Sequence, residues 1–186
     1  MMKSKAVLAL AGLALLALVV VGCKIVSGTF VVVESFSFTT QTGFYPTAVD
    51  LTENDTWEEH KDDIDRIEVV GFELWITNNE TAEWTYTGYV HEATMPDDTL
   101  DQADVDSLAT LVFGPLTVPA GTPGAGTQRF VTYAESLGLL SNISTLQTLV
   151  KGGLFDYYAI ATGGSGGLGG QVDSIRIIIT LAAKDS

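Results

Sequence analysis

Alternation of apolar and polar positions dominates the chain after residue 28, and this two-residue period is typical of β-strands with one buried face. The alternating segments are rich in β-branched and aromatic residues. One of them contains Gly114-Pro115, where we expect the strand to bend. The pattern predicts strands over residues 28–40, 64–79, 83–93, 108–118, 154–162 and 172–183.

The segment 64–79 changes phase along its length. Ile67 and Val69 occupy odd positions, whereas Phe72 and the next two aliphatic residues occupy even ones. Because a slip of one residue turns a strand face inside out, the change predicts a β-bulge at Gly71. Polar residues at 78–81 indicate a turn, so we expect 64–79 and 83–93 to form a hairpin.

Two stretches have helical spacing instead. Residues 55–64 begin with the capping pairs Asp55/Glu58 or Thr56/Glu59, and residues 141–153 place apolar side chains on one face before a stop at Gly152. The segment 163–170 contains six glycines in eight residues and predicts a mobile hairpin loop between 154–162 and 172–183. The last of these strands would pair with another chain if it lay at a sheet edge.

Many strands at short spacing, two short helices and no βαβ rhythm predict one mainly β domain over residues 28–186. The expected architecture is an antiparallel β-sandwich of immunoglobulin-like type. The chain lacks the Cys…Trp…Cys pattern of true immunoglobulin domains, since it contains a single cysteine.

The first 22 residues differ from the rest. Residues 6–22 form an apolar run of 17 positions that follows Lys3 and Lys5. This length is at the lower limit of the roughly 17–25 residues that span a bilayer. A basic start, a short apolar core and a small residue at its end are typical of a cleaved secretory signal helix. An uncleaved membrane anchor is the alternative.

The sequence Val20-Val21-Gly22-Cys23 ends this run. It resembles the lipobox of bacterial lipoproteins, although valine stands where leucine is commoner. The resemblance implies a signal peptide of residues 1–22, acyl chains such as palmitate on Cys23, and a tether of residues 23–27. Two or more acyl chains give lasting membrane attachment, at ~0.8 kcal/mol per buried CH₂. Lys24 replaces the aspartate of inner-membrane retention, which favours the outer membrane of a Gram-negative envelope.

The net charge and the cysteine content limit the range of possible partners and of stabilising bonds. The chain has a formal net charge of −14, which becomes −16 once Lys3 and Lys5 leave with the signal. Phosphate backbones and anionic lipid headgroups repel such a surface, so we expect no nucleic-acid partner and attachment through the lipid alone. With Cys23 acylated, no thiol remains for a disulfide.

Catalytic signatures are weak. His60 and His91 are the chain's two histidines, they stand 31 positions apart, and neither accompanies a Gly-x-Ser-x-Gly turn. The spacing also fits no zinc site. We therefore expect a non-enzymatic protein without a cofactor other than the lipid on Cys23.

Two segments carry candidate binding residues. The acidic stretch 96–107 offers clustered carboxylates that calcium prefers, although it lacks the glycine and terminal glutamate of an EF-hand; these are Asp97, Asp98, Asp101, Asp104 and Asp106. An aromatic patch of Trp75 and Tyr89 is predicted on the outward face of the proposed hairpin. The expected function is an envelope-assembly or binding module for an envelope protein or glycan, and the alternative is a calcium-dependent carbohydrate-binding module using 97–106.

Overall fold

The computed structural model describes residues 29–40, 43–62, 64–93, 99–122, 126–163 and 170–183, with the backbone alone over 29–40, 64–69 and most of 170–183. The predictions for the signal segment, Cys23, Asp97 and Asp98 lie outside these residues. In the described part no helix is both long and apolar enough to cross a membrane.

Within these residues the backbone forms eight strands and four short helices. The strands are β1 (Thr29–Thr40), β2 (Phe44–Asp50), β3 (Ile64–Asn78), β4 (Trp84–Glu92), β5 (Thr110–Val118), β6 (Thr127–Val131), β7 (Leu154–Gly163) and β8 (Gly170–Ala183). The helices are α1 (Asp55–His60), α2 (Gln102–Leu108), α3 (Tyr133–Ser136) and α4 (Ile143–Gly152), and a 3₁₀ turn occupies Leu51–Glu53.

The strands form two antiparallel sheets. Sheet A has the order β1-β8-β3-β6 and sheet B the order β2-β7-β4-β5. The predicted β-sandwich is confirmed, and the strand order specifies it further as a jelly roll. Each strand pairs with its counterpart from the other end of the chain: β1 with β8, β2 with β7, β3 with β6 and β4 with β5. The connectivity thus differs from the immunoglobulin arrangement.

The predicted β3–β4 hairpin is wrong, because β3 belongs to sheet A and β4 to sheet B. Asn78 holds the crossing from one sheet to the other. Its buried side chain donates to the Ala82 carbonyl at 2.9 Å and the Pro119 carbonyl at 2.8 Å, and accepts from the Glu80 amide at 2.8 Å. These bonds tie the end of β3 to the loop that follows it and to the residue after β5.

The predicted β7–β8 hairpin is also wrong, for the same reason. β7 lies in sheet B and β8 in sheet A, so the glycine-rich segment connects two sheets. Residues 164–169 of that segment lie outside the described part of the chain. β8 has β1 on one side and β3 on the other, so it is not an edge strand.

The phase change in β3 is real, but its bulge is not at Gly71. The register with β8 shifts between Ile67 and Val69, three residues earlier, and from Val70 onward the even positions face the core. The glycine at position 71 is explained by packing rather than by a bulge. A Cβ atom there would lie 2.7 Å from Cδ2 of Tyr133, so the ring of Tyr133 requires a glycine beneath it.

The core lies between the sheets and is rich in aromatic side chains. Phe72 and Phe113 meet edge to face with centroids 5.4 Å apart. The hydroxyls of Tyr86 and Tyr157 form a buried hydrogen bond of 3.0 Å. Burial raises the pKa of both phenols above the ordinary value, because the charged form would lose its hydration.

Both predicted helices are present with altered ends. Asn54 rather than Asp55 or Thr56 caps α1, since its side chain accepts from the Thr56 and Trp57 amides. α4 ends at Gly152 as predicted, and the following residue, Gly153, has the left-handed cap conformation with a φ of 85°. Trp57 joins the two helices by donating from Nε1 to the Val150 carbonyl at 3.2 Å.

Candidate binding groove beside helix α2

The outer face of sheet B is partly covered, which a strand pattern alone does not show. Along β7, Phe155 and Tyr157 point into the core, whereas Asp156, Tyr158 and Ile160 alternate onto the outer face. Asp156 and Tyr158 are nevertheless fully buried, and Ile160 is 7 % exposed. A second layer must therefore lie over this face, and residues 99–108 form part of it.

Leu100 and Val105 fix this layer to the sheet. Val105 of α2 is fully buried against Tyr158 and Ile160, and Leu100 packs on the same cluster. The Leu100 amide donates to the Tyr158 hydroxyl at 2.9 Å, and that hydroxyl donates to Oδ2 of Asp156 at 3.1 Å. The chain of two bonds gives the buried Asp156 carboxylate a structural role and anchors the segment that precedes α2.

An open groove runs between α2 and the uncovered part of this face. Its volume is about 600 Å³, within the range of small-molecule sites. We call it the α2 groove; sheet B contributes Thr87, Tyr89, Ile160 and Thr162, and α2 contributes Gln102, Ala103 and Asp106. Gln102 and Asp106 are one helical turn apart, so both line the same side of the helix.

The lining combines an apolar floor with a polar rim. The half-buried ring of Tyr89 and the Ile160 side chain form the floor, and hydroxyl, amide and carboxylate groups surround it. Asp106 is the charged member, and no basic residue is among the described residues that line the groove. In a chain of net charge −14 this composition disfavours anions and suits a ligand with many hydroxyl or amide groups.

Only some predicted calcium ligands can be located. Asp101 precedes α2, and Asp104 and Asp106 lie within it on nearly opposite sides, about 160° apart around the helix axis. Only Asp106 of these lines the groove. The described residues contain no group of three or more acidic, histidine or cysteine side chains placed to hold a metal. The calcium site stays a prediction, because Asp97 and Asp98 are outside the described part.

Trp75 and Tyr89 are not brought together. Tyr89 lies on the outer face of sheet B, whereas Trp75 points outward from sheet A, as its parity predicts, and is 42 % exposed. Trp75 stacks instead on Phe130, with centroids 4.3 Å apart and planes at 24°. Beside them Arg176 donates to Glu73 at 2.9 Å.

The two histidines also lie apart in the fold, in α1 and at the end of β4. His91 lines a smaller cavity of about 370 Å³ between β4 and α4, with Thr110, Thr145 and Thr148. Its Nδ1 atom is buried and has no hydrogen-bond partner among the described residues. No serine or cysteine is among the described residues that line this cavity.

The sequence interpretation missed α2 and therefore the groove. The acidic composition of 96–107 directed attention to its carboxylates as cation ligands, and no helix is predicted there. A single valine in an acidic stretch, with Leu108 three positions later, was the available signal for a helix with one buried side chain. Phe130 was missed because the short strand β6 has little alternation.

Comparisons with known proteins add little. No family model and no curated protein matches the chain. Among solved structures, the chain is similar to dimeric latent PorU from Porphyromonas gingivalis, with 7 % identity and a TM-score of 0.40 over 83 % of this chain and 13 % of that chain. It is also similar to the infectious bursal disease virus Gx strain structure, with 14 % identity and a TM-score of 0.33 over 83 % of this chain and 32 % of that chain. The chain thus spans less than a third of either structure, and neither similarity bears on its function.

Proposed function

We propose that the protein is a lipid-anchored binding module of a bacterial cell envelope and that its ligand occupies the α2 groove. The observation that carries the binding role is the groove itself, a concave surface of about 600 Å³ with an apolar floor and a polar rim. Its hydroxyl, amide and carboxylate groups suit recognition rather than covalent chemistry. The signal sequence and Val20-Val21-Gly22-Cys23 support the anchor.

The anchor would hold the sandwich close to the membrane. Thr29, the first residue of β1, follows Cys23 by six positions, and six extended residues reach at most ~20 Å. The acidic surface would be repelled by anionic headgroups, so the domain would stand off the bilayer on this tether. Envelope localisation, with the outer membrane favoured in a Gram-negative source, belongs to the same proposal.

The anchor is tested by the intact mass and membrane partitioning of the natively expressed protein beside Cys23→Ser. The expected mature protein begins at Cys23, carries the mass of its acyl chains and partitions into detergent. The serine variant is expected to lack the lipid mass and to leave the detergent phase. Retention of residues 1–22 in the native protein would refute the processing step.

A calcium-dependent carbohydrate-binding module is the second candidate, and the position of Asp106 in the groove favours it. A bound ion would raise the melting temperature by mass action. We expect no shift of the melting temperature at millimolar calcium, with magnesium as the control. A calcium-specific rise that disappears in Asp106→Ala would favour the second candidate over the first.

A further inference from the structure

We propose that the α2 groove binds an uncharged saccharide, with a sugar ring over Tyr89 and its hydroxyls bound by Gln102 and Asp106. The inference rests on the proposed binding role and names its ligand class. It does not depend on the lipid anchor, because the groove is built wholly from the folded domain.

Tyr89 supplies the surface on which a sugar ring can rest. An aromatic ring has an apolar face and, in tyrosine, a polar hydroxyl at its edge. The apolar C–H face of a pyranose matches the former, and its hydroxyls match the latter. Ile160 lies beside the ring and is only 7 % exposed, so Tyr89 offers most of the apolar surface and Ile160 supports it from below.

The rim supplies the hydrogen bonds. Gln102 offers an amide donor and acceptor, Asp106 offers two acceptor oxygens, and both extend from one side of α2. Their Cβ atoms are one helical turn apart, about 5–6 Å, which suits neighbouring hydroxyls of one ring. Thr87 and Thr162 stand on the opposite, sheet side of the groove with further hydroxyls.

Charge decides between saccharide classes. The acidic surface and Asp106 repel sulfated or uronic acid sugars, and no described lining residue compensates for their charge. A cationic ligand would use Asp106 but leave the amide and the threonine hydroxyls without a complementary role. An uncharged saccharide is the class that uses the aromatic floor and every polar group of the rim.

The groove is held open before binding. Val105 is buried under α2, and the Leu100 amide is bonded to the Tyr158 hydroxyl at 2.9 Å, so helix and sheet are fixed relative to one another. A preorganised site loses little conformational freedom when it binds, which matters for a ligand as strongly hydrated as a sugar.

The test uses the mature lipid-anchored protein in detergent on an array of neutral, sulfated and uronic acid oligosaccharides, with calcium and with chelator. Binding of neutral glycans that chelator does not change is expected, followed by isothermal titration with the best soluble one. A preference for anionic glycans, or the absence of any glycan binding, overturns the inference. Binding that chelator abolishes also overturns it, in favour of the calcium-dependent module.

Matched variants locate the site. Tyr89→Ala and Asp106→Ala are each expected to raise the Kd about tenfold or more, which corresponds to a loss of ~1.4 kcal/mol of binding free energy. Trp75→Ala, on the other sheet, and Asp104→Ala, on the other side of α2, are the controls and should leave the Kd unchanged. If Trp75→Ala abolishes binding while Tyr89→Ala does not, the site is wrong.

Folding must be separated from binding. Circular dichroism melting checks each variant, and Gln102→Ala, an exposed helical position, replaces Tyr89→Ala if the latter unfolds. A folded Gln102→Ala variant with unchanged glycan affinity would count against the rim geometry. Failure of the anchor is detected separately, because Cys23→Ser changes membrane partitioning and is expected to leave glycan affinity intact.

Discussion

Gly88 tests the packing of the core most sharply. It lies in β4 opposite Ala159, and its backbone is not in a left-handed conformation, so alanine is compatible with the local geometry. In isolation such a change stabilises a strand by ~0.5–1 kcal/mol. An added Cβ would, however, lie 2.9 Å from Cζ of Tyr157 and nearer still to its hydroxyl oxygen. The steric cost therefore opposes the intrinsic gain.

The Tyr157 ring has little freedom to yield. It is fully buried, its centroid lies 6.0 Å from that of Phe72, and its hydroxyl bonds to Tyr86. Overpacking of a core costs about 1–3 kcal/mol, and these constraints place Gly88→Ala near the upper end. For a domain of this size, about 2–4 °C per kcal/mol gives an expected fall in melting temperature of roughly 5–10 °C.

Thermal and urea unfolding of four proteins measures the effect: wild type, Gly88→Ala, Tyr157→Phe and the double variant. Phenylalanine removes the atom nearest the new methyl group, so Gly88→Ala should cost less in that background, with a coupling energy of about 1 kcal/mol. Gly152→Ala is the control, because nothing lies within 4 Å of its added Cβ and the melting temperature should not fall. The predicted contact between residue 88 and Tyr157 would be refuted if the effects of the two substitutions on the free energy of unfolding were additive. It would also be refuted if Gly88→Ala left the melting temperature unchanged.

Three further changes probe other parts of the fold. Raising the pH should destabilise the protein above pH 10, the ordinary phenol value, because the raised pKa values of Tyr86 and Tyr157 leave both neutral in the fold while the unfolded chain ionises. In unfolding measured from pH 8 to 12, the two phenols should contribute almost no slope at pH 8–9, and well above pH 10 each should lower the free energy of unfolding by about 1.4 kcal/mol per pH unit. Tyr157→Phe should reduce that slope, whereas an unchanged slope would contradict the assignment. Asn78→Ala should lower the free energy of unfolding by about 2–3 kcal/mol, since it removes three hydrogen bonds of a buried side chain at the sheet crossing. The exposed Thr81→Ala in the same loop should change it by no more than ~0.5 kcal/mol. Tyr158→Phe should raise the rate of amide hydrogen exchange in residues 99–108 by about tenfold or more, because the Leu100 amide loses its acceptor. An unchanged exchange rate in this segment would show that α2 is held by Val105 alone.

The place of the groove follows from the topology. In this jelly roll β4 and β5 are the consecutive strands that pair, at the tip of the rolled chain. The connection between them includes α2, which returns over the outer face of sheet B. Such a connection can lengthen or change composition without altering any strand pair, so the lining of the groove is less constrained by the fold than the strands are.

Local patterns carried much of the architecture. The alternation along β3 correctly placed Phe72, Leu74 and Ile76 inside and Trp75 outside. Helices α1 and α4, the irregularity of β5 at Gly114-Pro115 and the β-sandwich also follow from nearest-neighbour signals. These features are predictable because the side-chain direction in a strand and the capping of a helix depend on a few adjacent residues. The expected acylation of Cys23 likewise rests on a few adjacent residues, Val20-Val21-Gly22-Cys23.

Which strands pair and which side chains meet depended on the whole fold. Two strands that are adjacent in sequence were expected to pair, yet β3 and β4 lie in different sheets, and most strand partners come from the opposite end of the chain. For the same reason Trp75 meets Phe130 rather than Tyr89, and Tyr89 shares a groove with Asp106. Sequence by itself determined the alternation of side chains along β3 from Phe72 onward, but not the position of its bulge. Tertiary structure alone decided which faces meet, because burial is optimised over both sheets at once rather than along one segment.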